Sequence, residues 1–121
     1  MTALTSSESP MAIGVWTIAN AASLSDALDI QGARLTGIRM PADWTAASLT
    51  FEVSENGTDF GPLYNSLGEV VYTVAAAGRC IAIDPMDFVA WRFVKTRSGT
   101  LGAAVTQGAD RSLVMVGTSM N

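Results

Sequence analysis

The clearest pattern in the chain is a strict alternation of apolar and polar residues over residues 47–54. In an extended chain the apolar residues lie on one side and the polar residues on the other. The apolar set is Ala47, Leu49, Phe51 and Val53, and the polar set is Ser48, Thr50, Glu52 and Ser54. This period of two predicts a β-strand with one buried and one solvated face. The polar face of Ser48, Thr50 and Glu52 is therefore the part of this strand that we expect to meet a neighbour.

A hairpin is predicted directly after this strand. Glu55-Asn56-Gly57 breaks the alternation, and Asn-Gly favours the positive φ of a tight turn. The apolar pattern then resumes at Phe60, Leu63 and Tyr64. We interpret the turn as a device that fixes strand register.

Other short apolar segments, separated by turn residues, predict further strands. They are residues 11–19, 33–40 with a bulge near Gly37, 69–74, 79–83, 88–96, 101–105 and 111–116. Residues 23–30 fit either a short helix or an extended chain, and we favour the extended form because the segment is short and ends in Gln31-Gly32. Turns are expected at residues 84–87 and 97–100. About eight or nine short strands and no helix of normal length predict an all-β fold, a single antiparallel β-sandwich or jelly roll.

Length and composition indicate one folded domain with an arm. A chain of 121 residues with 49% hydrophobic and 15% charged residues can bury a sizeable core. Residues 1–10 are rich in Ser and Thr and end in Pro10, so we expect a flexible N-terminal arm there and the β-sandwich domain over residues 11–121. The arm could fray, or it could become ordered on a neighbouring subunit.

Charge and sequence patterns exclude several partners. A net charge of −4 argues against binding to nucleic acid, which needs a basic surface. The first residues lack the basic start and apolar core of a secretion signal, and no segment is long and apolar enough to cross a membrane. We therefore expect a soluble product of the cytoplasm. Cys80, the one cysteine, lies in an apolar strand and is expected to be a small buried hydrophobe.

The common catalytic arrangements that depend on histidine are missing from the sequence. Without histidine there is no Ser-His-Asp or Cys-His arrangement and no zinc site of ordinary composition, so we expect neither an enzyme nor a cofactor. The acidic pairs Asp26/Asp29 and Asp84/Asp87 could hold Ca²⁺ but are equally ordinary turn residues. Asn56, Thr58 and Asp59 have the same two interpretations, and turn chemistry accounts for each of them.

Contacts with partners are a stronger expectation than chemistry. Arg92, Lys95 and Arg97 follow Trp91, where ring stacking, a carboxylate fork or a polar sheet face is expected. Trp44 is expected to close one end of the sandwich. The candidate interface residues are Thr5, Ser6, Ser7, Met11, Trp16, Trp44, Tyr72, Arg92 and Arg97.

Two stretches resemble the galactose-binding-like, discoidin-type β-sandwich. The hairpin over residues 49–60 matches its "F-x-V-S-x-D/N-G" pattern, and residues 90–95 are similar to its "A-R-Y-V-R" strand. An extra Trp91 before Arg92 departs from that strand. The resemblance implies the sandwich fold alone, because the sugar- and calcium-binding loops of the family have no matching residues here.

A wider set of segments is similar to small structural proteins of tailed bacteriophages and prophages. The segments are residues 23–30, 35–44, the hairpin, 77–85, Phe93 and 97–100. This resemblance implies a non-enzymatic virion protein, foremost a head decoration or cement protein that binds the capsid surface through sandwich contacts and the arm.

The same resemblance implies the partners and the location. The partners would be the major capsid protein or other virion proteins and further copies of the chain, with a trimer natural at capsid three-fold positions. Nucleic acid and membrane are not among them. The protein would be made in the host cytoplasm and reside in the virion.

Two alternatives stay open at this point. One is a tail or fibre component. The other is a carbohydrate-binding β-sandwich module that contacts a host surface, with Trp16, Trp44 or Tyr72 stacking on sugar rings.

Overall fold

This computed structural model describes residues 10–119. They contain eleven strands and one short 3₁₀ helix, connected by loops and turns. The elements are β1 (Pro10–Ile18), β2 (Leu28–Asp29), β3 (Ala33–Arg39), β4 (Leu49–Ser54), β5 (Gly61–Pro62), β6 (Tyr64–Asn65), β7 (Gly68–Glu69), β8 (Cys80–Ala82), the 3₁₀ helix (Pro85–Asp87), β9 (Phe93–Thr100), β10 (Ala103–Ala104) and β11 (Arg111–Ser119). The all-β fold predicted from the sequence is confirmed.

The strands form two antiparallel sheets that pack face to face. The first sheet has the order β1-β11-β3-β8, and the second has the order β10-β9-β4-β5 with β2 paired to β9. A separate hairpin joins β6 to β7. Between the sheets lies one hydrophobic core, to which the first sheet contributes Trp16, Ile38, Leu113 and Met115 and the second contributes Leu49, Phe51 and Val94. This arrangement is a β-sandwich.

Strand β4 lies at the centre of the second sheet, and only half of its expected pattern is correct. Leu49, Phe51 and Val53 point into the core as predicted. The opposite face was expected to be solvated, but Thr50 and Ser54 are fully buried. Thr50 Oγ1 donates a hydrogen bond to the carbonyl oxygen of Gly99 at 2.7 Å. The chain itself thus covers most of the face that we expected to meet a neighbour.

The predicted hairpin after β4 is confirmed. Gly57 has a φ of 82°, and β4 pairs with β5 beyond the loop. Asn56 Oδ1 accepts hydrogen bonds from the backbone N–H groups of Thr58 and Asp59 at 2.8 and 2.9 Å. Of the side chains considered for a cation site, Asn56 thus holds the turn, and it also donates to Asp59 Oδ2 at 2.8 Å.

Two strands predicted after the hairpin, over residues 69–74 and 88–96, have the wrong bounds. Residues 69–74 do not form one strand, because the chain turns back at Gly68, with a φ of 121°, and meets β4 only through a Leu49–Tyr72 bridge. The strand expected at 88–96 begins only at Phe93, because Asp84 caps the 3₁₀ helix by accepting a hydrogen bond from the Met86 N–H. Residues 97–100, expected as a turn, belong to β9.

Three smaller expectations are settled by the pairing of strands. Residues 23–30 are extended, since Leu24 bridges Arg97 and β2 pairs with β9. The register of β3 against β11 shifts beside Gly37, which confirms the bulge. Cys80 is exposed, contrary to expectation, because β8 is an edge strand that turns Ile81 and not Cys80 toward the core.

Candidate functional site

Exposed apolar side chains gather where the β6–β7 hairpin meets the 3₁₀ helix. Four of the eight large hydrophobic residues exposed in the described part of the chain lie in the hairpin, in the helix or just after the helix: Tyr64, Leu67, Met86 and Val89. A hydrogen bond of 3.2 Å from Asn65 Nδ2 to Asp87 Oδ1 joins the segments. Together with Trp91, the four residues are called the tyrosine–tryptophan patch below.

The patch is presented by a well-anchored loop. Phe88 is 1% exposed and packs edge-to-face on Phe51, with ring centroids 5.0 Å apart. The Asp84 N–H donates to the Tyr72 hydroxyl at 3.0 Å, and the side chain of Asp84 caps the helix. Because Phe88 is fixed in the core, Met86 and Val89 on either side of it stay exposed to solvent.

Trp91 separates two clefts in this region. The first cleft has a volume of about 270 Å³ and lies between β3 and the loop after the 3₁₀ helix, with Leu35, Phe88 and Val89 among its apolar residues. The second has a volume of about 410 Å³ and lies along the 55–64 loop. Trp91 lines both clefts, and it is partly buried against the core.

The two clefts differ in charge. Arg34 and Arg92 line the first, whereas Glu55 and Asp59 line the second. Arg92 forms a fork with Asp29, with Nε–Oδ1 and Nη2–Oδ2 distances of 3.2 and 3.0 Å. This pairing lowers the pKa of Asp29, with help from the Gln31 N–H, and raises the pKa of Arg92. The carboxylate fork expected after Trp91 is present.

Stacking of a cation on an aromatic ring was also expected in this segment. Two such contacts are present. The Arg92 guanidinium carbon lies 5.0 Å from the centroid of the Phe93 ring. Lys95 Nζ lies 4.3 Å from the centroid of the Phe60 ring. One cation just before β9 and one on β9 therefore rest on aromatic rings.

The other candidate interface residues differ in exposure. Met11 is exposed on β1, while Trp44 and Tyr72 are half-buried against the core. Trp44 Nε1 donates to the Ala47 carbonyl at 3.1 Å. Burial raises the pKa of Tyr72. Thr5, Ser6, Ser7 and the rest of the expected arm up to residue 9 lie outside the described residues, whereas Pro10, its predicted last residue, begins β1.

Trp16 and Arg97 must be removed from the candidate interface. Trp16 is fully buried in the core, so it can stack on neither a partner nor a sugar ring. Arg97 is 5% exposed, and it contacts the Glu52 carboxylate and lies 4.0 Å from Glu69 Oε2. The ion pairs allow a charged residue to sit within β9, where the sequence indicated an exposed turn.

Most of the patch was missed by sequence reasoning. Tyr64 was interpreted only as the resumption of an apolar pattern, and Leu67, Met86 and Val89 were assigned no role. One usable signal was Met86, which stands between Pro85 and Asp87 in a polar turn where an apolar side chain has no local partner. The convergence of the two segments depends on contacts between residues far apart in sequence.

The acidic pairs considered for Ca²⁺ have partners within the protein. Asp26 Oδ1 accepts from the Thr17 N–H at 3.3 Å, and Asp29, Asp84 and Asp87 make the contacts given above. Across residues 10–119, no three His, Cys, Asp or Glu side chains come together in a way that could hold a metal ion. The same residues contain no helix long and apolar enough to span a membrane.

No protein-family model matches the chain, and a search of curated proteins finds no match either.

Proposed function

We propose that this chain is a non-enzymatic structural protein that docks onto other protein subunits through the tyrosine–tryptophan patch. The proposal is supported by the exposure of four large apolar side chains on two segments that the Asn65–Asp87 hydrogen bond joins: Tyr64, Leu67, Met86 and Val89. Tyr64 and Val89 each line a cleft beside Trp91. Leu67 is 93% exposed and Met86 is 71% exposed, so a partner that covers them gains favourable burial of apolar surface.

The composition of the patch supports a protein partner. The cores of protein–protein interfaces are enriched in Tyr, Trp, Met and Arg, and residues that dominate binding energy are most often Trp, Tyr and Arg. Tyr64, Met86 and Trp91 belong to these types, with Arg92 beside them. The well-anchored loop adds to affinity because little side-chain and loop entropy remains to be lost on binding.

The setting that we propose is the virion of a tailed bacteriophage, with the chain as a head decoration or cement protein on the capsid. The similarity of residues 23–30, 35–44 and 97–100 to such proteins motivates this choice. Two short loops offer less than the roughly 800 Å² that one partner contributes to a standard interface. Many symmetric copies, and contacts between them, would compensate for a modest area per copy.

Copy number on purified particles tests the setting. Particles would be purified by density gradient, and the chain would be counted by quantitative mass spectrometry against the major capsid protein. We expect a copy number that is a multiple set by capsid symmetry. A handful of copies per particle would instead indicate a tail or fibre component, and no enrichment on particles would overturn the proposal.

A further inference from the structure

We propose that the second cleft beside Trp91 binds an arginine side chain of the partner protein. The cleft lies between the 55–64 loop and Trp91, and its residues are Val53, Glu55, Asp59, Phe60, Gly61, Pro62, Leu63, Tyr64 and Trp91. This inference rests on the proposed function, since it names the group that the partner inserts at the edge of the tyrosine–tryptophan patch.

The shape and lining of the cleft suit one long side chain. It is an open surface cleft with a volume of about 410 Å³, which leaves room for one long side chain lying along its wall. Tyr64 and Trp91 supply aromatic surface and Pro62 supplies a further apolar contact, whereas the Phe60 ring already carries Lys95. An arginine could lay its methylene groups on this surface while its guanidinium plane stacks on a ring.

The charge of the cleft selects a cation. Its two charged residues, Glu55 and Asp59, are both acidic. Asn56 Nδ2 donates to Asp59 Oδ2 at 2.8 Å, which orients that carboxylate. Glu55 takes part in none of the ion pairs found within residues 10–119, so its carboxylate can pair with an incoming cation.

The chain already uses the same chemistry next to the cleft. Lys95 Nζ rests on the Phe60 ring, and the Arg92 guanidinium rests on Phe93. These contacts show that rings in this part of the fold lie where cations reach them. A planar guanidinium is preferred to an ammonium because it can stack on a ring and fork to a carboxylate at the same time.

A carbohydrate fits the same cleft less well. Sugar hydroxyls both donate and accept hydrogen bonds, whereas ionised carboxylates only accept. Tyr64 and Trp91 carry the only side-chain donors among the residues that line the cleft. Five N–H donors and a positive charge make arginine the better complement to two carboxylates.

The test is a nuclear magnetic resonance titration of the full chain with the peptide acetyl-Gly-Arg-Gly-amide at low salt. We expect shifts at the Trp91 indole and the Tyr64 ring, with binding at least ~10-fold tighter than that of acetyl-Gly-Gln-Gly-amide and weakening as salt is added. The double variant Glu55→Gln/Asp59→Asn should lose about 10-fold in affinity. Asp43→Asn, at an exposed carboxylate outside the cleft, should lose none.

Three results would overturn the inference: no shift at Trp91, equal binding of the two peptides, or binding of methyl galactoside in the cleft without binding of the arginine peptide. Thermal unfolding of each variant checks that the fold is intact. Failure here is distinct from failure of the docking proposal. If the arginine peptide does not bind but particle occupancy still depends on Tyr64 and Leu67, docking stands and the arginine anchor is wrong.

Discussion

Trp16 Nε1 donates a hydrogen bond of 2.8 Å to the carbonyl oxygen of Val94, directly across the core. Trp16 belongs to β1 at the edge of the first sheet, and Val94 belongs to β9 in the second. Both residues are fully buried. The two sheets are therefore joined by a directional bond as well as by packing, which fixes how one sheet lies on the other.

Replacing Trp16 should cost much more stability than replacing a half-buried tryptophan. Trp16→Phe removes the donor, leaves the Val94 carbonyl without it and opens a void, so we expect a loss of about 2–4 kcal/mol in the free energy of unfolding. Trp44→Phe is the matched control, since Trp44 Nε1 bonds only the nearby Ala47 carbonyl. Urea denaturation followed by circular dichroism measures both, and equal losses would contradict the account.

Gln107 is a second buried link, and its loss should also be costly. Its Oε1 accepts from the Thr45 N–H and Arg111 Nε, and its Nε2 donates to the Thr45 carbonyl and Ser98 Oγ. Gln107→Leu keeps the approximate volume but leaves the bonded groups of Thr45, Ser98 and Arg111 without these partners. We therefore expect a loss of about 2–4 kcal/mol in the free energy of unfolding. Gln31→Leu, at an exposed position, should change stability little. A mild effect at Gln107 would show that water replaces the four bonds.

Two buried threonines on β4 and β9 should respond in opposite directions to the same substitution. Thr96 Oγ1 is the one buried side-chain polar atom without a hydrogen-bond partner among residues 10–119, so Thr96→Val should stabilise the fold by about 1 kcal/mol. Thr50 Oγ1 donates to the Gly99 carbonyl, so Thr50→Val should destabilise by about 1–2 kcal/mol. Thermal unfolding of the two variants provides the comparison, and a shift of both in one direction would refute it.

The Asp29–Arg92 pair should make a small, acid-sensitive contribution to stability. The Arg92 fork holds the pKa of Asp29 below its ordinary value of 3.8. A carboxyl with a lowered pKa in the folded state stabilises the fold above the unfolded pKa, and this stability is lost as the pH falls through the folded pKa. Wild type should therefore exceed Asp29→Asn in melting temperature at pH 7, and the difference should shrink as the pH falls below 3.8 and through the lower pKa of the folded state. A constant difference from pH 7 to pH 2 would mean that the effect is not ionic.

Local patterns in the sequence correctly predicted the structural features that adjacent residues determine. The alternation over 47–54 predicted β4 and its inward face, and Asn56-Gly57 predicted the hairpin, because strand period and turn conformation are set by adjacent residues. The opposite face of β4 could not be predicted, since Arg97 and Gly99 on the neighbouring strand β9, which is distant in sequence, contact Thr50 there. Trp16 offers the same lesson, because only the pairing of β1 with β11 decides which of its faces is buried.

The tyrosine–tryptophan patch depends on long-range contacts even more strongly. Tyr64 and Val89 lie on separate loops, and the Asn65–Asp87 hydrogen bond between these loops has no periodic signal in the sequence. Exposure of single apolar residues is common and carries no meaning alone. The clustering of four of them is visible only in three dimensions.

Occupancy of purified particles by patch variants tests the central claim most directly. Wild type, Tyr64→Ser/Leu67→Ser and the control Val15→Ser would be supplied to particles that lack the protein, and bound copies would be counted. Val15 is 46% exposed but lies on β1 in the first sheet, away from the patch residues in the chain. We expect wild-type occupancy for Val15→Ser and at least a ~10-fold weaker retention for the patch variant. Equal occupancy of all three proteins would contradict docking through the patch.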